Sequence, residues 1–492
     1  KTGAFPGIKK RASILLAAKF GSYLGGLFFE RIQSVYVDSD SFIYVAGHTQ
    51  SGNFPVTDNV YDRIKKGPTG RGYDTQDGFA AKLSPEGRLI WATLIGGSRR
   101  DQVYAIRTDS SGNVFLLGAT GSDDFPSTEG AFDETFNGPI FTNAITDIFV
   151  ASLTPDGKKL RFSTFIGGSQ GREENPRGAF EIDEKRGRIY VAGQTSAPDF
   201  PTTKGAFQPK YGGGSQDAIV FALSIDGSKL IASTFIGGSG SDSAFTEIEP
   251  HPSGDSYYFA GATNSTDFPV TPGVFQTKLS SGNPKQPWWE DGDAFIGRLS
   301  ADLDKMIFLT YYGGSRFDAV SHNQGLAVDL QGRVVVIGST KSSDLPVSKG
   351  AFRTTLGASS GGFVAVFSGK GAFVNATYIG SDAYVSGAFI GPRGKIYMTG
   401  ATKSADFIVT PDAYQTTFGN GRSSSKYTDA FLTVFDPDLR HITYSTFLGG
   451  GGTRNTGERG RSVWVTRNGR VVVGGHTDSY DFPLTGYSAQ TK

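Results

Sequence analysis

The chain has 492 residues, and its 48 Lys plus Arg nearly cancel its 47 Asp plus Glu, leaving a formal net charge of +1. That balance gives no net field toward a polyanion, so no nucleic-acid partner is expected. Cysteine is absent, which excludes a disulfide framework and a thiolate metal site. No run approaches the roughly 20 apolar residues of a membrane helix, so no transmembrane segment is expected.

Gly is abundant (68), Phe is plentiful (38) and Met is scarce (2). Many tight turns between short aromatic strands give such a profile, and a helical bundle does not. The chain begins at Lys1 rather than Met, and the expectation is that a leader has already been removed. Residues 9–26, KKRASILLAAKFGSYLGG, mimic a charged and then apolar leader. Lys19 interrupts the apolar run, and the segment aligns with a later strand, so it is read as a strand.

A phrase then recurs along the chain. It begins as GHTQSGNFPVTDNVYD at 47–62 and continues as GATGSDDFPSTEGAFD (118–133) and GQTSAPDFPTTKGAFQ (193–208). It returns as GATNSTDFPVTPGVFQ (261–276), GSTKSSDLPVSKGAFR (338–353), GATKSADFIVTPDAYQ (400–415) and GHTDSYDFPLTGYSAQ (475–490). Its proline, or Ile408 in its place, falls at 55, 126, 201, 269, 346, 408 and 483. A fixed period with variable loops means one structural unit per repeat.

Each unit reads as four strands. In one, DIFVASL (147–153) alternates with period two, TPDG (154–157) supplies a turn, and KLRFSTFIGGS (159–169) follows. GAFEID (178–183) and RIYVAGQT (188–195) complete it. Seven such units cannot make one open sheet, and four strands per repeat is the pattern of a propeller. The expected fold is all-β: a seven-bladed β-propeller, four antiparallel strands per blade, as a single domain over 1–492. The last unit lacks its second hairpin, so residues about 10–24 are expected to complete the blade formed by 461–477, with Phe20 over Phe162 and Tyr23 over Phe165.

The succession DAFVxxL, a PDG-like turn, STFIGGSxxD and IxxDxxGxxYVAGxTxSxDFPxTxGAFQ resembles the SBBP family, a bacterial β-propeller repeat. The chain departs from the pattern at Ile408, at Leu345 for Phe and at Gly362 for the strand-opening Asp. The resemblance implies an exported or cell-surface bacterial protein beside adhesion-like modules. It brings no catalytic residue with it.

In the repeated phrase, Phe is expected to plug the loop from below and Pro to fix the chain where it leaves the sheet. The recurrent Asp124, Asp199, Asp267, Asp344, Asp406 and Asp481 are read as acceptors for nearby backbone N–H groups. Calcium ligation is the alternative, and each copy offers only one carboxylate to it. No other cofactor is expected.

The loops before the IxxD strands vary most and are expected at the axial mouth. They carry Arg99, Arg100, Arg172, Arg316, Arg459 and Arg461 beside Glu173, Glu174, Asp318 and Glu458. A salt-bridged rim accounts for these residues without a substrate. A glycosidase or lyase centre is the alternative, with Glu173 and Asp318 as its acids. His48 and His476 stand at equivalent places in adjacent units, and no HxH or HExxH spacing points to zinc.

Trp288 and Trp289 stand together in KQPWWEDGD (285–293), inside a long connection, and are contact candidates for a protein surface or a sugar ring. The Gly-rich, locally basic loop 62–77 is a second place for docking. No nucleophile with a base can be named from spacing. The expected role is a non-catalytic scaffold, periplasmic, extracellular or on the cell surface, with a protein partner or a homo-oligomer. A polysaccharide-binding or carbohydrate-active propeller is the alternative.

Overall fold

The computed structural model describes residues 21–70, 72, 76–138, 147–174, 180–244, 248–281, 291–421, 428–451 and 457–484. Two short 3-10 turns, Pro392–Gly394 and Phe418–Gly421, are the helical segments among them, and every other regular element is a strand. One blade is built from Asp101–Thr108, Val114–Thr120, Asp147–Leu153 and Leu160–Ile166, paired antiparallel in that order. Asp147–Leu153 is buried at every position, so both faces of the strand are covered by packing. That is the cause of its near-continuous apolar sequence. Small sheets stacked on both sides satisfy it without leaving a long edge.

Six sheets of this kind are present, and Arg459–Val465 pairs with Val471–His476 as a two-stranded sheet. Among the described residues there are therefore six complete blades rather than the expected seven. In the seventh unit the described residues form two strands. The strand expected from residues 10–20 lies outside the described residues. Residues 21–24, which are described, run beside the last unit without forming a regular strand. The innermost strands nonetheless meet one another in a closed cycle, with Arg459–Val465 between Ala383–Ile390 and Glu30–Val37.

Blade boundaries also differ from the unit read along the chain. Each sheet starts at the IxxD strand, so the GGS turn joins blades and the long DFP phrase lies within a blade, between its second and third strands. The register Thr340↔Gly361 further places Gly361, not Gly362, where other blades open the third strand with Asp.

The phrase repeats because it clasps blades together. The N–H of Ser98 donates to Asp124 at 2.7 Å, Ser169 to Asp199 at 3.0 Å, Ser239 to Asp267 at 2.8 Å and Ser315 to Asp344 at 2.9 Å. Gly451 donates to Asp481 at 2.8 Å and Leu27 to Asn53 at 3.0 Å. In the first five pairs the donor follows the outer strand of one unit and the acceptor belongs to the next, and Leu27 holds the same relation after residues 21–24. These bonds hold Asp199, Asp267 and Asp344 below the usual carboxylate range, against the opposing effect of burial.

The GG pair has a steric cause. A Cβ on Gly97 would stand 2.4 Å from Asp124 Oδ1, and one on Gly238 2.5 Å from Asp267 Oδ1. The clasping loop therefore needs glycine beneath it. Under the same loop Phe125 is buried, 4.3 Å from Phe149 and 6.1 Å from Phe165 between ring centroids. Phe200, Phe268 and Phe407 repeat the arrangement, and Leu345 fills the same place without an aromatic ring.

Candidate functional site

The inner strands position the axial end of the molecule. Four of them carry a bulge in their first half, between Ile32 and Ser34, Val103 and Ala105, Val385 and Gly387, and Gly460 and Ser462. A bulge re-aims the extra side chain, here Gln33, Tyr104, Ser386 and Arg461. All four are buried. Between Asp318–Val320 and Leu326–Val328 the chain instead inserts a loop that reaches across the axis. Gln324 Oε1 accepts from Ser462 Oγ at 2.8 Å and from Val463 N–H at 2.6 Å. The Gln324 carbonyl accepts from Ala388 N–H at 2.8 Å, and Asn323 Nδ2 donates to the Gln33 carbonyl at 3.2 Å. The axis is thus crossed at mid-depth by a hydrogen-bonded plug.

Above that plug, one sector departs from the repeat. The register pairs Arg31 with His48 and Arg459 with His476. In the blade after the first, the same positions are Gln102 and Ala119. Phe29 stands between the two histidines, 6.4 Å from the His48 ring and 6.0 Å from His476. The Arg31 guanidinium lies 5.0 Å over the Phe29 ring. Arg459 donates to Ser386 Oγ at 2.9 Å and lies 5.9 Å over Tyr384. Burial pushes the His476 imidazole far below its ordinary pKa, and the charges of Arg461, Arg31, Arg459 and His48 add to that. Around this cationic sector Leu27 is 81%, Tyr480 75%, Tyr384 44% and Phe28 42% exposed.

The residues singled out from sequence fall in different places. Arg99, Arg100, Arg172, Arg316 and Arg459 all stand at this end, at the entries to three blades and to the two-stranded sheet. Arg99 Nε is 3.9 Å from exposed Asp123, and Arg100 Nε donates to Gln76 at 3.1 Å. Arg172 borders a shallow polar depression with Gln194, Ser196, Ser215 and Gln216. Arg316 is exposed, and its N–H is held by Ser342 Oγ at 2.9 Å. Glu173 and Asp318 are fully buried between blades, away from any open mouth. Glu173 accepts from Thr195 Oγ1 at 2.6 Å, and Asp318 from Gly314 N–H at 2.7 Å. Trp288 and Trp289 lie outside the described residues.

Arg31 is a site residue that the sequence reading does not name, and that reading gives His48 and His476 no role. The signal was present: only the first and last phrases read GHT, and both face an Arg across the sheet. Among the described residues no group of three or more His, Asp or Glu is placed to hold a metal. No helix among them is long and apolar enough to cross a membrane.

The fold defines the class: an all-β propeller of small antiparallel sheets. The sequence profile of the SBBP β-propeller repeat matches residues 31–55 and 90–126. Those two segments of the chain thus carry the SBBP repeat, within a fold that is a β-propeller. No curated protein matches it significantly.

Solved structures resemble it only distantly. Hydrazine synthase of Kuenenia stuttgartiensis is 10% identical with a TM-score of 0.39, over 82% of this chain and 94% of that one. A protein of unknown function from Dyadobacter fermentans is 14% identical with a TM-score of 0.41, over 77% and 92%. The β-propeller domain of the Trilobed protease from Pyrococcus furiosus is 11% identical with a TM-score of 0.36, over 92% and 90%.

Proposed function

We propose that the chain is an exported, non-catalytic propeller acting as a protein-interaction scaffold, with the sector over Ala383–Ile390, Arg459–Val465 and Glu30–Val37 as its contact face. One observation carries this reading: Arg31, Arg459 and Arg461 gather with His48 and His476 in one sector of an otherwise repetitive ring. Exposed Leu27, Phe28, Tyr384 and Tyr480 border it. Cationic groups beside exposed aromatics suit an acidic, partly apolar segment of a protein partner, because Arg and Tyr combine charge, hydrogen bonding and large contact area. Export to the periplasm or cell surface is supported by the absence of cysteine and by the resemblance to SBBP proteins.

Two features favour binding over turnover. Glu173 and Asp318, the acids a hydrolytic centre would use, are held by backbone and hydroxyl groups between blades. The Gln324 loop also occupies the axis where a substrate would enter. The carbohydrate-directed alternative depended on that axis and on Trp288 and Trp289, and no described residue adds to it.

The test is recovery of the protein from its own source at rising ionic strength. A partner held through this face co-purifies at low salt and is released as salt screens the arginines. Recovery of a bare chain at every ionic strength contradicts the reading.

A further inference from the structure

The seventh unit presents an open sheet edge. In each complete blade the third strand lies between the second and the fourth and pairs with both. Val471–His476 is the second strand of the seventh unit, paired on one side with Arg459–Val465. Its other edge pairs with no strand among the described residues. The counterparts Ile43–Thr49 and Val114–Thr120 are buried at every position, whereas five of the six residues of Val471–His476 are only half-buried.

Residues 21–26 take the path of a fourth strand. A Cβ on Gly26 would stand 2.5 Å from Asn53 Oδ1, as one on Gly97 would stand 2.4 Å from Asp124 Oδ1. A Cβ on Gly21 would stand 2.5 Å from the Pro483 carbonyl oxygen. At the equivalent place in a complete blade, Ser233 Oγ donates to the Pro201 carbonyl at 2.6 Å. Two strand spacings of about 4.8 Å separate a second strand from a fourth, so the width of one extended strand lies between them.

Two contacts say what such a strand carries. At Gly96, Gly167, Gly237, Gly313 and Gly449 the atoms nearest a Cβ include those of the Asp that opens the third strand. At Gly25 the three nearest all belong to Glu30. Phe54, Phe125, Phe268 and Phe407 are buried, each with its ring centroid 4.3–4.8 Å from the Phe at the third place of the third strand. Phe482, their counterpart, is half-buried. Four third strands open with Asp and carry Phe two places on, as in DIFVASL and DAFLTVF. No stretch of sequence outside the described residues has an acid two positions before an aromatic ring.

We propose that Val471–His476 is a docking edge for a β-strand of a protein partner, one that opens with an acid, carries an aromatic ring two places on and continues with apolar side chains. An edge strand offers its backbone N–H and C=O groups to any extended chain, and side-chain contacts choose among the candidates. Here the partner's ring packs on Phe482 as Phe149 packs on Phe125, and its acid takes the place that Asp147 holds against Gly167. This edge is separate from the cationic sector and stands whether or not that sector holds a partner.

The probe is a fluorescent peptide of residues 426–438, KYTDAFLTVFDPD, added to the whole protein and followed by anisotropy. Saturable binding is expected, and Phe431→Ala in the peptide or Phe482→Ala in the protein should weaken it by roughly fivefold. The register then decides whether the peptide enters as a strand. Thr433 pairs with Met398, whose counterpart in the seventh unit is Val473. The chain has no cysteine, so Val473→Cys gives one thiol to the whole protein. It is expected to form a disulfide with a Thr433→Cys peptide roughly tenfold faster than with a Leu432→Cys peptide, whose thiol faces the other way. Absence of saturable binding overturns the proposal and assigns the edge to the chain's own residues before Gly21 or to a second copy. Equal cross-linking of the two peptides also overturns it, because the contact is then no register-fixed strand. Should Val473→Cys fail to fold, Val471→Cys is judged in the same way with the Phe435→Cys and Val434→Cys peptides.

Discussion

The hydroxyl of Tyr23 donates a 2.9 Å hydrogen bond to the carbonyl of Ser479, joining two positions 456 residues apart. Its ring lies 6.4 Å from Phe482, as Phe165 lies 6.1 Å from Phe125 in a complete blade. The N-terminal segment therefore leaves the last unit along the path an outer strand follows elsewhere. Tyr23→Ala is expected to cost about 1–3 kcal/mol of unfolding free energy by losing this ring contact and bond. Denaturant titration measures it, and an unchanged midpoint would mean that the closure bears no load.

The clasp predicts an asymmetry between copies. Asp267 accepts from both the N–H and the hydroxyl of Ser239, at 2.8 and 2.9 Å. Asp267→Ala should cost about 1.5–3 kcal/mol, the usual contribution of hydrogen bonds to a charged group. Asp406 stands in the one phrase where GGS is replaced by Gly380-Ser381-Asp382, and no bond from that turn to its carboxylate appears among the described residues. Asp406→Ala should shift stability by less than about 0.5 kcal/mol. Equal losses at both sites would remove the clasp as the reason for the repeat.

Stability should fall as pH rises through neutrality. Burial raises Asp101 to about 8 and Asp217, Asp318 and Glu458 to about 7. A raised folded-state pKa means that the native state holds its proton more tightly than the unfolded chain does. The corresponding stability is complete below the unfolded value near 4 and is lost as pH climbs through about 6–8. Asp199, Asp267 and Asp344 are shifted the other way and titrate below that window. Tm should be higher at pH 5.5 than at pH 8.5. The reverse order would mean that these buried acids are ionised in the folded protein.

Gln324→Ala tests the plug. It removes the acceptor for the buried Val463 N–H and for Ser462, and should cost about 1–3 kcal/mol. Native-state hydrogen exchange at Val463 should accelerate at the same time. Protection that persists would place the axial loop outside the structural core.

Much of this architecture was readable from pattern alone. Period-two alternation in DIFVASL and the turn TPDG locate strands because both are local effects. Blade boundaries were less legible. The DFP phrase looks like a connector along the chain, yet its Asp binds the GGS turn of the preceding blade, a relation that exists only in three dimensions. The buried acids at the blade junctions were hidden for the same reason: Asp147 and Glu173 are 26 positions apart and both lie against Gly167. Glu173 looked like a mouth residue because its neighbours Arg172 and Glu174 are charged, while its own side chain turns inward. The cationic sector was half visible, since GHT appears twice, but the facing Arg31 and Arg459 emerge only from the strand register.

The most direct measurement is native mass spectrometry of the protein isolated gently from its own source, beside an Arg459→Glu variant expressed there at the same level. The scaffold account predicts a stoichiometric protein partner on the wild-type chain, lost or sharply reduced in the variant while the variant remains folded. A wild-type chain that flies alone, or a partner retained equally by both proteins, would contradict it.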